Sequence, residues 1–411
     1  MNRVVVTGMG IVSPIGNNMK DFKQSLFAGK CGIDFITKYD LDQTRVKIAG
    51  EVKNFDPSVF LAKNELRKTD LFVQYALAAA LEAVGDSGIA EKINPERFGV
   101  YVGSGVGGMN TFITECDKLR ELGETKISPY FISMMIANMA AGNIAIRVNA
   151  QGPCLPVVTA CATSTHSIGE AYRAIKYGYA DAIIAGGTDA VINPLAIGGF
   201  TNCMALTQRN IPDDSSIPFD KRRDGFVIGE GGGVIILEEY EHAKARGAKI
   251  YAEIKGYGNT CDAYHVTAPQ PEAKGASRAI SLAIEEAGMT EETETYINAH
   301  GTSTPLNDVS ETKAIKLALG EERAKMASIS STKSMTGHML GGAGVMEAIA
   351  TILALNESLI PPTIGYKEKD EACDLDYTPN VAKKREINLG LSTSLGFGGH
   401  NACIAFTKIK N

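Results

Sequence analysis

Residues 157–187 read VVTACATSTHSIGEAYRAIKYGYADAIIAGG. A β-branched run breaks at small and polar residues around Cys161, and Ile168, Ala171, Tyr172 and Ile175 then recur at the spacing of one helical face. AIIAGG (182–187) follows as a short apolar strand. The order strand, break, helix, strand puts Cys161 just beyond a strand end, at or near a helix N-terminus. The positive end of that helix is expected to lower the thiol pKa and favour the thiolate. A similar order returns at 329–360, ISSTKSMTGHMLGGAGVMEAIATILALNESLI, where His338 precedes the helix. Glu170-Ala171 and Glu347-Ala348 fall at matching offsets in the two helices. An α/β half present twice would set two functional residues at equivalent helix starts facing one cleft.

Outward from these segments, short β-branched runs alternate with helical patterns: VVVTG (4–8), FGVYVGSG (98–105), GGVIILEEY (232–240), and later YINAH, ASISS, INLGLS and ACIAF. Between them, TDLFVQYALAAALEAVGDSG (69–88) and GASRAISLAIEEAGM (275–289) repeat apolar residues every three or four positions. Such alternation predicts α/β layers around mainly buried sheets. The segments 106–145 and 193–225, rich in Met, Asn, Gly and Pro, lack clean periodicity. They are expected to be cap insertions over the cleft, since long irregular stretches in a compact domain are usually functional. Plain connecting loops are the alternative.

At 411 residues, with 44% hydrophobic and 21% charged side chains, the chain has the composition of a soluble globular enzyme. Its length suits two ordinary domains or one large doubled one. A net charge of −6 argues against a nucleic-acid partner. Eight cysteines show no CxxC pair and no metal-ligand spacing, so most are expected to be buried free thiols and zinc binding is not expected. MNRVVVTGMGIV has one basic residue before an apolar run, but Thr7, Gly8, Gly10 and Pro14 break it too soon for a signal peptide. ADAIIAGGTDAVINPLAIGGF (180–200) comes nearest to a membrane span, and Asp181, Asp189, Asn193 and Pro194 disqualify it. A cytoplasmic location without a membrane partner is expected.

A thiol with two imidazoles, each in its own glycine-rich break, points to covalent acyl chemistry. His300 lies in YINAHGTSTPLND (296–308). Glycine or small flanks suit an exposed imidazole at a strand end better than core filling, although either histidine alone could be a satisfied structural residue. For Cys161 the alternative is an inert buried thiol. Lys333, five residues before His338 among small and apolar neighbours, is expected to be half-buried, with Glu311 as its ionic partner and Asp308 as a weaker one. Gly103-Ser-Gly-Val-Gly-Gly108 satisfies GxGxxG after a strand. No clean helix is expected after Gly108 and no ribose-binding acid follows, which argues against a dinucleotide site. A papain-like Cys–His pair fits the second histidine poorly. His166, His242 and His265 are read as structural or surface residues.

TACATS around Cys161, AHGTSTPLND around His300, STKSMTGHMLGGAG around Lys333 and His338, and GFGGHNA near the C-terminus follow one another in a telling order. Together they resemble the condensing enzymes of fatty-acid synthesis, and among them the β-ketoacyl-acyl-carrier-protein synthase II type. The likeness runs from Val4 to the last strand. It implies a thiolase-like α/β fold of two similar halves in α-β-α-β-α layers with cap insertions. Residues 1–250 would carry the nucleophile and caps, and 251–411 both histidines.

The resemblance further implies a decarboxylative Claisen condensation. Cys161 would hold an acyl chain as a thioester, and neutral His300 and His338 would donate from Nε2 to the malonyl thioester carbonyl. Lys333 would order the site. Phe397 would gate it and share the oxyanion hole with the Cys161 N–H. The likeness puts Phe112, Phe200 and Gly198 at the acyl pocket and Arg67, Lys68 and Lys126 at a docking patch for the acyl carrier protein. Met204 stands where some relatives have arginine, and Leu395 where many carry a second phenylalanine. No cofactor of the chain's own is implied, because the phosphopantetheine arm arrives on the carrier protein. A structural monovalent cation is implied at Glu347 and backbone oxygens near Asn298, Ala299, Ser392 and Thr393, against a plain helix glutamate held by backbone donors. A homodimer is implied, paired through the ADAIIAGG strand, with the cap near Phe112 reaching the partner's acyl tunnel. The motifs leave open a polyketide-type ketosynthase or a synthase I type enzyme. A non-catalytic partner of the chain-length-factor kind is the reading from a different class, and Cys161 itself argues against it. A thiolase fits less well, because its second half uses a catalytic cysteine where this chain offers His338.

Overall fold

The computed structural model describes residues 1–290 and 293–409. Nine strands form one mixed sheet: β1 (Val4–Val12), β2 (Phe98–Gly103), β3 (Ala182–Asp189), β4 (Gly231–Glu239), β5 (Ala252–Cys261), β6 (Thr295–Asn298), β7 (Ser328–Ser330), β8 (Leu389–Gly396) and β9 (His400–Thr407). Their spatial order is β2-β3-β4-β1-β5-β9-β8-β6-β7. One pairing scheme occurs twice in that order. The first strand of each half lies antiparallel to the last (β1 to β4, β5 to β9), and the last antiparallel to the strand before it in sequence (β4 to β3, β9 to β8). That neighbour in turn runs parallel to the second strand (β3 to β2, β8 to β6). Within the sheet, the two units join where Val4–Val6 meet Ala252–Ile254.

The principal helices are α1 (Leu71–Ser87), α2 (Met109–Leu122), α3 (Thr163–Lys176), α4 (Pro194–Asn202), α5 (Lys274–Ala287), α6 (Pro305–Leu319) and α7 (Ala343–Glu357). α1 covers β1 and β4 from outside, and α5 covers β5 and β9. α3 and α7 pack on each other and on strands of both halves, forming the middle layer. Every residue of α7 from Ala343 to Leu355 is buried. An apolar circumference of that kind is what a helix enclosed on all sides requires. β1 is buried along its whole length, which explains why it reads as an apolar run without alternation.

Three expectations need correction. β5 was not legible, because AEIKGYGNTC interleaves charges and glycines. The glycines are needed where α5 presses on the strand: a Cβ at Gly258 would stand 1.8 Å from the Ala279 carbonyl oxygen. Second, a helix does follow Gly108. α2 buries only Thr111 and Glu115, so it has no apolar stripe to announce it. The glycine loop before it cannot cradle a phosphate, because the Gly105 and Val106 amides already donate to Asp189 at 3.0 and 3.1 Å. Third, Cys116, Cys154, Cys203 and Cys261 are exposed and only Cys373 and Cys403 are buried. Small flanking residues had suggested burial, but Cys116 lies on the open face of α2 and Cys261 at the end of β5. Among the described residues, no helix is long and apolar enough to cross a membrane.

Candidate active site

Cys161 occupies a single 3₁₀ turn, Ala160–Ala162, that leads directly into α3. Ala160 is left-handed (φ 51), a conformation that costs energy in a residue with a side chain and persists only where the surroundings enforce it. β8 provides that enforcement. A Cβ on its last residue, Gly396, would stand 2.8 Å from the Thr159 carbonyl and 3.4 Å from the Cys161 nitrogen. Only a glycine lets the strand end lie against the turn. Phe397 comes next, in a tight hairpin with Gly398 and Gly399 both at positive φ, and its N–H acts on the Cys161 thiol.

The helix start lies where the sequence predicts it, but residues 155–159 before the turn are irregular rather than a strand, and the lowered thiol pKa is not found. Burial pushes the Cys161 thiol up to about 11, against the opposing Lys333 charge and Phe397 amide. Desolvation disfavours the thiolate more strongly than these groups favour it. At neutral pH the protonated thiol is therefore the favoured form.

His300 follows β6, and its N–H donates to Glu311 Oε1 at 2.7 Å while the Gly301 N–H donates to Oε2 at 2.7 Å. Glu311 thus fixes the backbone of the His300 turn. It does not pair with Lys333, which corrects the expected ion pair. Lys333 is fully buried, not half-buried, and bonds Glu347 of α7. Its Nζ also donates to the His300 carbonyl at 2.6 Å and lies 3.3 Å from His300 Nδ1. Asp308, the second candidate, instead accepts from the Phe219 N–H at 2.8 Å, with Arg223 at 3.7 Å. Sequence distance could not choose among Glu311, Asp308 and Glu347, because α6 and α7 approach Lys333 from different layers.

The His338 backbone is clamped by the 227–229 strap, donating to the Val227 carbonyl at 2.7 Å and accepting from the Gly229 N–H at 2.8 Å. His338 Nδ1 accepts from the Leu340 N–H at 3.3 Å, while Nε2 is buried without a partner. The two imidazoles are 5.3 Å apart between centroids and nearly perpendicular. Burial, reinforced by the Lys333 charge, drives both imidazoles well below the ordinary histidine range. Both are then neutral at neutral pH. With each Nδ1 facing a donor, these neighbours assign the proton to Nε2.

Cys161, His300 and His338 open onto one cavity of about 340 Å³, shared with Phe200, Phe226 and Phe397. Phe226 was missed by the sequence reading. It packs edge-on between Phe200 (5.5 Å) and His338 (5.2 Å), and its GFVIG run was hidden beside a segment taken as irregular. Two of the three expected pocket residues lie elsewhere within this chain. Phe112 is 41% exposed on α2 and faces Phe131, and Gly198 borders a separate groove beside Arg45. One turn of α4 cannot present both Gly198 and Phe200 to the same side. Arg67, Lys68 and Lys126 are exposed and none borders the cavity, and Lys68 Nζ sits 5.1 Å over the Tyr130 ring. Met204 stands at the cavity mouth, 85% exposed. His166 is structural, bonded to Thr159 (2.8 Å) and Asn259 (3.1 Å).

The fold and this Cys–His–His cavity define a condensing enzyme of thiolase-like architecture, and the chain belongs to the β-ketoacyl synthase family. The N-terminal domain of that family matches residues 1–243 and the C-terminal domain residues 251–367. The chain is 49% identical over 408 residues to the 3-oxoacyl-[acyl-carrier-protein] synthase 2 of Synechocystis sp., covering 99% of this chain and 98% of the relative. It is 48% identical over 409 residues to the enzyme of the same name from Coxiella burnetii, covering 99% of each. A solved β-ketoacyl synthase from Burkholderia phymatum superposes with a TM-score of 0.93 at 34% identity, covering 100% of both chains. A type II PKS ketosynthase in complex with its acyl-carrier protein does so at 0.90 and 35%, covering 99% of this chain and 100% of that one.

Proposed function

We propose that this chain is an elongating 3-oxoacyl-acyl-carrier-protein synthase of the synthase 2 type, acting in the cytoplasm. The observation that carries the reading is the cavity in which one thiol lies with two neutral imidazoles, the Nε2 of His338 being buried without a partner. In the first half-reaction, Cys161 Sγ attacks the thioester carbonyl of an acyl chain on carrier protein. The Cys161 and Phe397 N–H groups receive the oxyanion. The pantetheine thiol leaves with the proton that Cys161 gives up. In the second, the His300 and His338 Nε2–H groups donate to the thioester oxygen of malonyl-carrier protein. The C–CO₂ bond breaks, its electron pair forms the enolate, and the enolate carbon attacks the acyl-Cys161 carbonyl. The Cys161 sulfur departs and regains a proton, leaving a β-ketoacyl chain two carbons longer. Because the relatives of the synthase 2 name share more identity with this chain than the polyketide ketosynthases do, the fatty-acid reading is favoured.

The test is intact-protein mass after incubation with acyl-carrier proteins of several chain lengths. A mass gain equal to the acyl group is expected on wild type and not on Cys161→Ala. Absence of any adduct with every donor would reject the enzyme in favour of a non-catalytic partner.

Carrier docking is assigned to Arg67, Lys68 and Lys126. Replacing Arg67 and Lys68 with glutamate should raise the apparent KM for carrier-linked substrates several-fold, an effect that shrinks at high salt. An unchanged KM at low salt would remove this assignment. A homodimer is part of the reading. The cap and the loop after it leave Leu119, Leu122, Ile132, Ile146, Leu155 and Val158 exposed, apolar side chains that a partner subunit would cover. In such a dimer Phe112 would wall the partner's acyl tunnel, and Phe112→Ala should lengthen the usable primers, at about 0.8 kcal/mol per added methylene. Sedimentation showing a fully active monomer at nanomolar concentration would overturn the dimer, and an unaltered length profile the role of Phe112.

The halves are taken as 1–250 and 251–411, a division supported by the pairing scheme starting anew at Ala252. The Glu347 Oε2 and Ser392 Oγ atoms, buried without partners, fit a structural monovalent cation held with backbone oxygens near Asn298, Ala299 and Thr393. It would be structural, without entering the reaction. No cofactor of the chain's own is proposed.

A further inference from the structure

We propose that Asp189 is a positioning residue that holds the turn after His338 and thereby sets the aim and tautomer of that imidazole. This rests on the decarboxylating role proposed for His338. Asp189 ends β3 with its side chain fully buried, and both carboxylate oxygens are engaged. Oδ1 accepts from Ser104 Oγ at 2.5 Å and the Val106 N–H at 3.1 Å. Oδ2 accepts from the Gly105 N–H at 3.0 Å and the Gly341 N–H at 2.7 Å. Three of the four donors belong to the half that carries the nucleophile, and the fourth lies three residues after His338.

Gly341 is bonded covalently to the residue that matters. Leu340 supplies the N–H on His338 Nδ1, and Leu340 is left-handed at φ 49. A side-chain-bearing residue relaxes out of that conformation unless its neighbours are fixed. Gly341 is fixed on one side by Asp189 and on the other by backbone contact with Gly187, where an added Cβ would stand 2.4 Å from the Gly341 oxygen. Without the Asp189 oxygen the Gly341 amide is a buried donor with no acceptor, and the turn must move to satisfy it. The Leu340 N–H then leaves Nδ1, the Nε2 proton is no longer assigned, and the donor to the malonyl oxygen is lost or displaced. A displacement of about 1 Å at a reacting centre can cost ~10²-fold in rate.

Asp189→Ala, Asp189→Asn and Ser104→Ala separate this role from plain support. In Asp189→Asn the amide oxygen can stay on Gly341 and Gly105 with its NH₂ turned to Ser104, because that orientation strands one amide and the reverse strands two. Three quantities are measured on each variant: acyl-enzyme formation by intact mass, CO₂ release from malonyl-carrier protein, and the ¹⁵N shifts of the His338 ring. Asp189→Ala should lower CO₂ release ~10²-fold, with acyl transfer within a few-fold of wild type, and should mix the His338 tautomers. Asp189→Asn should restore both the ratio and the ring shifts. Ser104→Ala, which removes a bond on the far oxygen, should leave both unchanged. If Asp189→Ala does not accumulate folded, Asp189→Ser, whose oxygen is too short to reach Gly341, carries the same test. Equal loss of both half-reactions, unchanged ring shifts, or a Ser104→Ala effect on the ratio as large as that of Asp189→Ala would overturn the proposal. Wild-type enzyme that releases no CO₂ would reject the functional reading, while the ring shifts would still decide the role of Asp189.

Discussion

Cys161→Ala is expected to abolish acyl-enzyme formation while malonyl decarboxylation continues, and His300→Ala and His338→Ala to do the reverse. The separation follows from what each step needs. Acyl transfer uses a sulfur nucleophile and two backbone donors that no side-chain change removes. Decarboxylation uses Nε2–H donors aimed at a thioester oxygen and no thiol. Losing one preorganised donor costs about 10²–10³ in rate, so each histidine variant should retain low but measurable CO₂ release. Labelled acyl-enzyme formation and CO₂ release from malonyl-carrier protein, run on the three variants, decide the matter. Acylation of Cys161→Ala would mean a different nucleophile, and normal decarboxylation by both histidine variants would make the imidazoles structural. Because both imidazoles are held well below the ordinary histidine range, decarboxylation by the wild type should not acquire an acid limb at the ordinary histidine pKa of 6.5.

Lys333→Met should be the most destabilising single change at the site, by about 3–5 kcal/mol, since it strands a buried carboxylate. The loss should also depend on pH in a defined direction. Burial already pushes Glu347 up to about 7, with Lys333 the main force against it. A carboxyl whose pKa is raised on folding contributes most below its unfolded value, and that contribution is lost as pH rises through the folded value. In wild type the loss is complete soon above 7. Without the ammonium the folded value climbs further and the loss continues to higher pH. The melting-temperature deficit of Lys333→Met should therefore be larger at pH 8 than at pH 6, and adding Glu347→Gln should recover most of it. A deficit equal at both pH values would show that Glu347 is not the stranded group. Activity should fall as well, because Nζ no longer faces His300 Nδ1 and the Nε2 proton of that ring is no longer assigned.

Most of the frame was legible because buried strands and the central helices announce themselves locally. The runs at 4–8, 98–105, 182–187 and 232–240 each became a strand of the main sheet. Cys161, His300 and His338 could be named from glycine-rich breaks, but only His300 closely follows a strand, His338 follows the short helix Lys333–Thr336, and both imidazoles are buried rather than exposed. What was not legible depends on partners distant in sequence. β5 is a strand because Gly256 and Gly258 admit α5, and nothing in its own ten residues says so. The Lys333–Glu347 bond, the use of Glu311 as a backbone clamp and the place of Phe226 arise where layers from different parts of the chain meet. The thiol pKa was misjudged for a related reason. A helix start can be read from periodicity, but the depth at which it is buried cannot.

Ala160 and Leu340, left-handed to within two degrees of each other (φ 51 and 49), stand at equivalent points before the two central helices. Laid over one another in chain order, Cys161 falls on Gly341, and the end of β8 at Gly396 falls on the end of β3 at Asp189. In the proposed mechanism the amide after the bent residue receives an anion in both halves, yet the two amides have opposite fates. One belongs to Cys161 at the cavity and would serve a charge that exists only during reaction. The other is filled by the carboxylate of Asp189, supplied by the chain itself at 2.7 Å. A protein assembled from two copies of the same receptor would otherwise offer a travelling negative charge two places to rest. Occupying the second with a fixed carboxylate makes the molecule chemically one-sided while its backbone stays nearly symmetric. An architecture with room for two reaction centres is thereby left with one.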